Sequence, residues 1–278
     1  MTIIPVASLD ETDLHPYRTL RRPLDHQRSG IFVAEGEKVV RRLLESTLDV
    51  LTVLLTPEWL VEYRPLLEQR SGNLRVFVAA KQLVEEIVGF HLHQGIMAVA
   101  RIPRPLTLQE ALAHVRHPAL LVAVDGLTNA ENLGVLVRNC AAFDVDALFV
   151  GETSSSPYLR RAVRNSMGTI FNLPVVHLAS LVGSLHNLKS KHCVRVVAAH
   201  PRAQKAKLHQ AAMTGDCCVV FGSEGEGISA AVLAACDDLV AIPMQEGVDS
   251  LNVASASAVF LYEVQRQRSA LRLGGRER

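Results

Sequence analysis

The sequence predicts an α/β protein of two domains, the second built on a mostly parallel sheet. Two observations carry this reading. Short β-branched runs alternate with amphipathic helical runs along the chain, the pattern of a parallel sheet covered on both faces. The alternation breaks around RIPRPLTLQEAL at 101–112, where two prolines follow a strand-like run. Residues 10–104 and 115–270 are therefore expected to form separate domains.

In the first segment IFVAEG (31–36), LTVLLT (51–56), RVFVAA (75–80) and GIMAVA (95–100) read as strands. GEKVVRRLLES (36–46) and PEWLVEYRPLLEQR (57–70) read as the helices between them. In the second segment LLVAVDG (120–126), DALFVG (146–151), VRVVAA (194–199), CCVVFG (217–222) and DLVAIP (238–243) read as strands. The clearest helix is NLGVLVRNCAAF (132–143). There Leu133, Leu136, Val137, Cys140 and Ala141 follow the i, i+3, i+4, i+7, i+8 spacing of a buried face. The final RLGGRER reads as a frayed tail.

With 278 residues, 49% hydrophobic and 21% charged, the chain has ample core and is neither disordered nor fibrous in composition. A net charge of +1 gives no global attraction to a polyanion, so nucleic-acid contact must rest on local patches. Arg18, Arg21, Arg22 and Arg28 form one such cluster, Arg160, Arg161 and Arg164 a second, and further cations lie in 189–207. Each cluster is also compatible with a solvated face. The cysteines at 140, 193, 217, 218 and 236 form no CxxC pair and read as buried free thiols of a cytoplasmic protein. No apolar run reaches the roughly 18 residues of a membrane helix, and no basic-then-apolar leader opens the chain. His91 and His93 alternate without cysteine or carboxylate partners at metal spacing, so no metal is expected.

Three segments carry chemistry. GLTNAENLGVLVRN (126–139) follows a strand and opens a helix, at the sheet edge where α/β ligands bind. Asn132 is placed there as the N-cap. Gly134 and Arg138 share a helix face. An arginine on an apolar helix is costly to bury without an anion and ordinary at a solvent edge. VVFGSEGEGIS (219–229) runs from a strand into a loop with Gly222, Gly225 and Gly227, which permit close backbone approach. It lacks the GxGxxG and GK[ST] fingerprints, and Glu224 and Glu226 would repel phosphate. IPMQEGVDSLNVASASAVFLYEV (242–264) leads into a last helix capped by Ser250 or Asn252. Val253, Ser257, Phe260, Leu261 and Val264 make its buried stripe, and its run of small residues also fits a tightly packed core helix.

In this order and spacing the three segments resemble the three motifs of the SpoU/TrmH group of SPOUT RNA methyltransferases, over roughly 119–268. RRAVRNSMGTIFNLPV (160–175) resembles the group as well. FVAEGEKVV (32–40) and FHLHQGIMAVA (90–100) resemble the small RNA-binding domain that often precedes this unit. The resemblance implies a deep trefoil knot, a homodimer with the first-motif and final helices in its interface, and methyl transfer from S-adenosylmethionine to a ribose 2′-hydroxyl of ribosomal or transfer RNA. By position, Gly222, Ile242 and Leu251 would contact the cofactor, with Gly227 and Met244 close by. Asn132, Arg138, Glu224, Ser250 and Asn252 would line the reacting end, and Glu224, Ser250 and Asn252 would also contact the cofactor. On physical grounds Arg138 suits charge stabilisation better than base catalysis, because a guanidinium gives up its proton too reluctantly to serve as a base. Asn132 and Asn252 would orient the ribose and the arginine, and Glu224 would hold Arg138 or the substrate.

The sequence departs from the group pattern in three places. Ala254 follows SLNV where SLNVS is frequent, and Ala130 and Asp144 stand where proline and glycine are frequent. A non-catalytic RNA-binding or assembly protein would have no need of Asn132, Arg138, Glu224 and Asn252 together. A nucleotide- or NAD-binding α/β enzyme would carry GxGxxG in its first turn and an acid at the fingerprint's place after its second strand, and this chain matches neither.

Overall fold

The computed structural model describes residues 1–8, 12–70, 72–88, 95–201, 203 and 206–274. His91 and His93 lie outside the described residues, as does the end of the tail. Two compact units emerge, Met1–Arg104 with Pro157–Asn172, and Pro105–Ser156 with Leu173–Arg278.

The first unit holds five strands: β1 (Thr2–Pro5), β2 (Ile31–Glu35), β3 (Val50–Leu55), β4 (Arg75–Val78) and β5 (Ile96–Arg101). Their order is β1-β4-β3-β5-β2. β4 runs parallel to β1 and β3, whereas β5 is antiparallel to β3 and β2. β1 escapes a periodicity reading because it has four residues and ends in proline, features of an edge strand. The segment 157–172, expected with the second domain, packs here. Phe32 stacks on Phe171 with centroids 5.6 Å apart and meets Tyr158 at 5.4 Å. Glu35, 6% exposed, accepts from Arg160 at 2.5 Å and Arg164 at 2.9 Å. A carboxylate buried this deeply requires such partners, so Arg160 and Arg164 are committed to an ion pair rather than forming the free basic face read from sequence.

The second unit is a six-stranded parallel sheet of β6 (Leu120–Asp125), β7 (Ala147–Val150), β8 (Val175–His177), β9 (Arg195–Ala199), β10 (Cys217–Gly222) and β11 (Asp238–Val240). The order is β11-β9-β10-β6-β7-β8. β8 has three residues, too few to register as a strand in the sequence. β6 and β10 lie side by side, with Asp125 level with Gly222. The loops of the first two motifs therefore leave the sheet at neighbouring points.

The first-motif helix spans Ala130–Ala142, and its N-cap is Asn129 rather than Asn132. The Asn129 carboxamide accepts from the Glu131 and Asn132 N–H groups at 2.9 and 3.1 Å. Its first turn is polar, so apolar spacing placed the start too late. Leu133, Leu136, Val137 and Cys140 are fully buried, but Ala141 is exposed. Two departures from the motif pattern now have a physical setting. Ala130 is the first helical residue, where proline is favoured. Asp144 has φ +55° just past the helix end, the conformation glycine adopts most readily. Asp144 also pairs with Arg116 at 2.6 Å.

The last helix, Val253–Gly274, packs against the first-motif helix, and Val253, Ser257, Phe260, Leu261 and Val264 are buried as expected. Asn139 Nδ2 donates to the Ala254 carbonyl at 2.7 Å and to Ser257 Oγ at 2.9 Å. Gln265 donates to the Phe143 carbonyl at 2.6 Å. Further along, Arg268 is 7% exposed and donates to the carbonyls of Pro118, Ala119 and Gly215, which fixes the helix to the approaches of β6 and β10. Cys140, Cys217 and Cys218 are buried, Cys236 is half-buried, and Cys193 is exposed at a helix end, against the expectation of burial for all five. No helix among the described residues is long and apolar enough to cross a membrane.

Candidate active site

A cavity of about 480 Å³ opens at the carboxyl ends of β9, β10 and β11, in the size range of cofactor pockets. Seven of the sequence-predicted cofactor residues line it: Gly222, Glu224, Gly227, Ile242, Met244, Ser250 and Leu251. Asn252 does not. Part of the wall is apolar, with Phe221, Val240 and Phe260 beside Ile242 and Leu251. The rim carries Glu224, Glu226 and Asp249, so the cavity mouth favours a cationic ligand over a phosphate.

The loop after β10 is built to keep this space open. Ser223 and Gly227 exchange backbone hydrogen bonds at 3.0 and 3.2 Å. A Cβ on Gly222 would stand 2.2 Å from the Gly227 carbonyl carbon, so this fold of the loop excludes any side chain there. Gly227 itself has φ +72°. The loop is tied to the neighbouring strand end, where the Ser229 N–H donates to Asp125 Oδ2 at 2.8 Å.

Beside the cavity, one residue of the third motif reaches one residue from each of the other two. Asn252 Oδ1 accepts from the Ala254 N–H at 2.8 Å and so caps the last helix. Its Nδ2 donates to Asn132 Oδ1 and to Glu224 Oε1, each at 3.1 Å. Because Asn129 performs the capping at the other helix, the Asn132 side chain is available for this contact. Arg138 stands apart. It is exposed, and among the described residues it makes no hydrogen bond or ion pair. Of the two roles expected for Glu224, holding Arg138 or the substrate, the pairing with Arg138 is not formed; Glu224 Oε1 accepts from Asn252 instead.

Sequence reasoning missed His200 and Asp249, both of which line the cavity. His200 directly follows β9, but only the strand order brings the β9 end beside the glycine loop. Among the described residues no cluster of three or more His, Cys, Asp or Glu could hold a metal ion.

A parallel sheet with a ligand-sized cavity at its carboxyl edge and converging polar side chains defines a cofactor-dependent α/β enzyme. Residues 119–262 match the SpoU rRNA Methylase family, and the chain belongs to that family. An uncharacterized tRNA/rRNA methyltransferase of Mycobacterium tuberculosis is 35% identical over 277 residues, covering 97% of this chain and 93% of the relative. The 23S rRNA (guanosine-2′-O-)-methyltransferase RlmB of Yersinia pestis is 36% identical over 204 residues, covering 72% and 82%. The fold is also that of the SpoU methyltransferase AviRb from Streptomyces viridochromogenes, solved with the cofactor AdoMet. There the TM-score is 0.81 at 24% identity, over 94% of this chain and 100% of that one.

Proposed function

We propose that this chain transfers a methyl group from S-adenosylmethionine to a ribose 2′-hydroxyl of ribosomal or transfer RNA. The observation that carries the reading is the meeting of Asn132, Glu224 and Asn252 beside an acid-rimmed cavity. Relatives that are 2′-O-methyltransferases of ribosomal RNA support it.

The residues present fit the cofactor. Ile242, Leu251 and Phe260 offer an apolar wall to an adenine face, and the bare backbone at Gly222 allows close approach. Glu224, Glu226 and Asp249 suit the positive charge of a sulfonium and an amino group. When bound, S-adenosylmethionine supplies a methyl group already activated by its sulfonium. What the protein must add is alignment of a weak nucleophile and stabilisation of the charge that grows on it. Asn252, fixed by three hydrogen bonds, presents Asn132 and Glu224 in set positions, and these orient the ribose. Arg138, with its guanidinium uncommitted among the described residues, stabilises the developing oxyanion and an adjacent phosphate.

The outward face of the two packed helices exposes Ala141, Val259 (39%) and Tyr262 (58%), and Arg138 lies one turn from Ala141. A homodimer joined on this face would enclose Arg138, the setting in which charge stabilisation is strongest. The return of the last helix onto the first-motif helix fits a deep trefoil knot. Residues 10–104 would bind the RNA substrate, in the cytoplasm where RNA and cofactor meet.

The test is transfer of radiolabelled methyl from S-adenosylmethionine to separated ribosomal and transfer RNA. Label in one fraction supports the reading and names the substrate. If neither fraction, nor a ribonucleoprotein substrate, accepts label while the cofactor binds, the chain is a binding protein instead.

A further inference from the structure

We propose that a second cavity, about 280 Å³ and lined by His15, Arg18, Thr19 and Arg22 in the first unit, seats a backbone phosphodiester of the RNA substrate. The inference rests on RNA being the substrate and adds where the first unit holds it.

Residues 15, 18, 19 and 22 follow helical spacing, and the backbone keeps that geometry beyond the short His15–Arg18 helix. The Thr19 N–H donates to the His15 carbonyl at 3.1 Å and the Arg22 N–H to the Thr19 carbonyl at 2.8 Å. The four side chains therefore converge on one side of the chain. The floor is held from below. Thr19 is 8% exposed, its hydroxyl lies 2.8 Å from the His15 carbonyl, and it also meets His26 Nε2 at 3.0 Å. Tyr17, fully buried, bonds Thr52 of β3 at 2.8 Å and anchors the same turn to the sheet. A basic opening on an anchored turn loses little freedom when an anion enters.

The chemistry points to phosphate. Two guanidiniums and an imidazole line one concavity, and guanidinium forks match phosphate oxygens in geometry and charge. Among the described residues no ion pair or side-chain hydrogen bond occupies Arg22. Arg22 differs in this from Arg160 and Arg164, which are committed to buried Glu35. Contacts of this kind set the register of an RNA without reading its sequence, which suits a domain that delivers substrate to a catalytic site elsewhere in the chain.

The experiment measures binding of a fluorescein-labelled RNA hairpin to the full chain by anisotropy across a series of KCl concentrations. Calorimetry with S-adenosylmethionine runs in parallel. Arg18→Gln with Arg22→Gln is expected to weaken RNA binding about tenfold and to lower the slope of log Kd against log salt by about one, with cofactor binding unchanged. Arg22→Lys should keep the slope, and Arg64→Gln, at an exposed position of the same unit, should change neither. Should the double variant misfold, Arg22→Gln alone is read the same way. If the double variant keeps the wild-type Kd and slope, the inference is overturned alone. If the wild-type chain binds cofactor but shows no salt-dependent RNA affinity, the RNA reading falls and this inference with it.

Discussion

Asn252 donates through Nδ2 to Asn132 Oδ1 at 3.1 Å, joining residues 120 positions apart in the chain. The same amide reaches Glu224, and the Asn252 oxygen caps the last helix. The side chain thus has different work for its nitrogen and its oxygen, which fixes its orientation. Sequence placed these residues in three separate motifs; the fold makes them one group.

Asn252→Asp separates the two tasks. The aspartate still accepts from Ala254 but cannot donate to Asn132, and it faces Glu224 with like charge. We expect a melting temperature close to wild type and turnover lowered about 100-fold, the scale of a misplaced reacting group. Asn252→Ala should lose the turnover and also about 1 kcal/mol of stability with the cap. Thermal melts and steady-state methyl transfer check both.

Gly222→Ala tests the loop. The added methyl would stand 2.2 Å from the Gly227 backbone, which must move into or away from the cavity. The expected result is a loss of about 1–3 kcal/mol of stability together with strongly weakened cofactor binding in calorimetry. Retention of cofactor affinity would show that the loop tolerates another course.

Arg138→Ala addresses charge stabilisation. The side chain is exposed, so stability in the isolated chain should change by less than about 0.5 kcal/mol. Cofactor affinity should hold, while turnover falls by about 100- to 1000-fold. Turnover at the wild-type rate would remove Arg138 from the reaction.

Ala130→Pro should stabilise the protein. Position 130 opens a helix, follows an extended Asn129 with φ −71° and ψ 109°, and its N–H makes no hydrogen bond among the described residues. Proline fits all three conditions. The expected gain is about 0.4–1 kcal/mol, read as a raised midpoint in denaturant titration.

Strands with strong β-branched runs, such as 120–125 and 217–222, were legible because burial on both faces writes a continuous apolar signal. Thr2–Pro5 and Val175–His177 were not, being edge strands of a few residues. Helix starts were blurred for a related reason, since the Ala130 turn is polar and apolar spacing cannot see it. The lining by Gly222, Ile242 and Leu251 followed from motif position. The lining by His200 did not, because strand order is a long-range property. Placement of 157–172 with the first unit depends on Phe32 and Glu35, and no local pattern marks a residue as the partner of another so distant in sequence.

Alkali tests the chemistry of the acceptor most directly. A ribose methylated on its 2′-oxygen cannot attack the neighbouring phosphate, so that linkage survives alkaline hydrolysis. RNA labelled by this protein from methyl-labelled S-adenosylmethionine is expected to give its label in alkali-resistant dinucleotides. Label released entirely in mononucleotides would place the methyl group on a base and contradict ribose methylation.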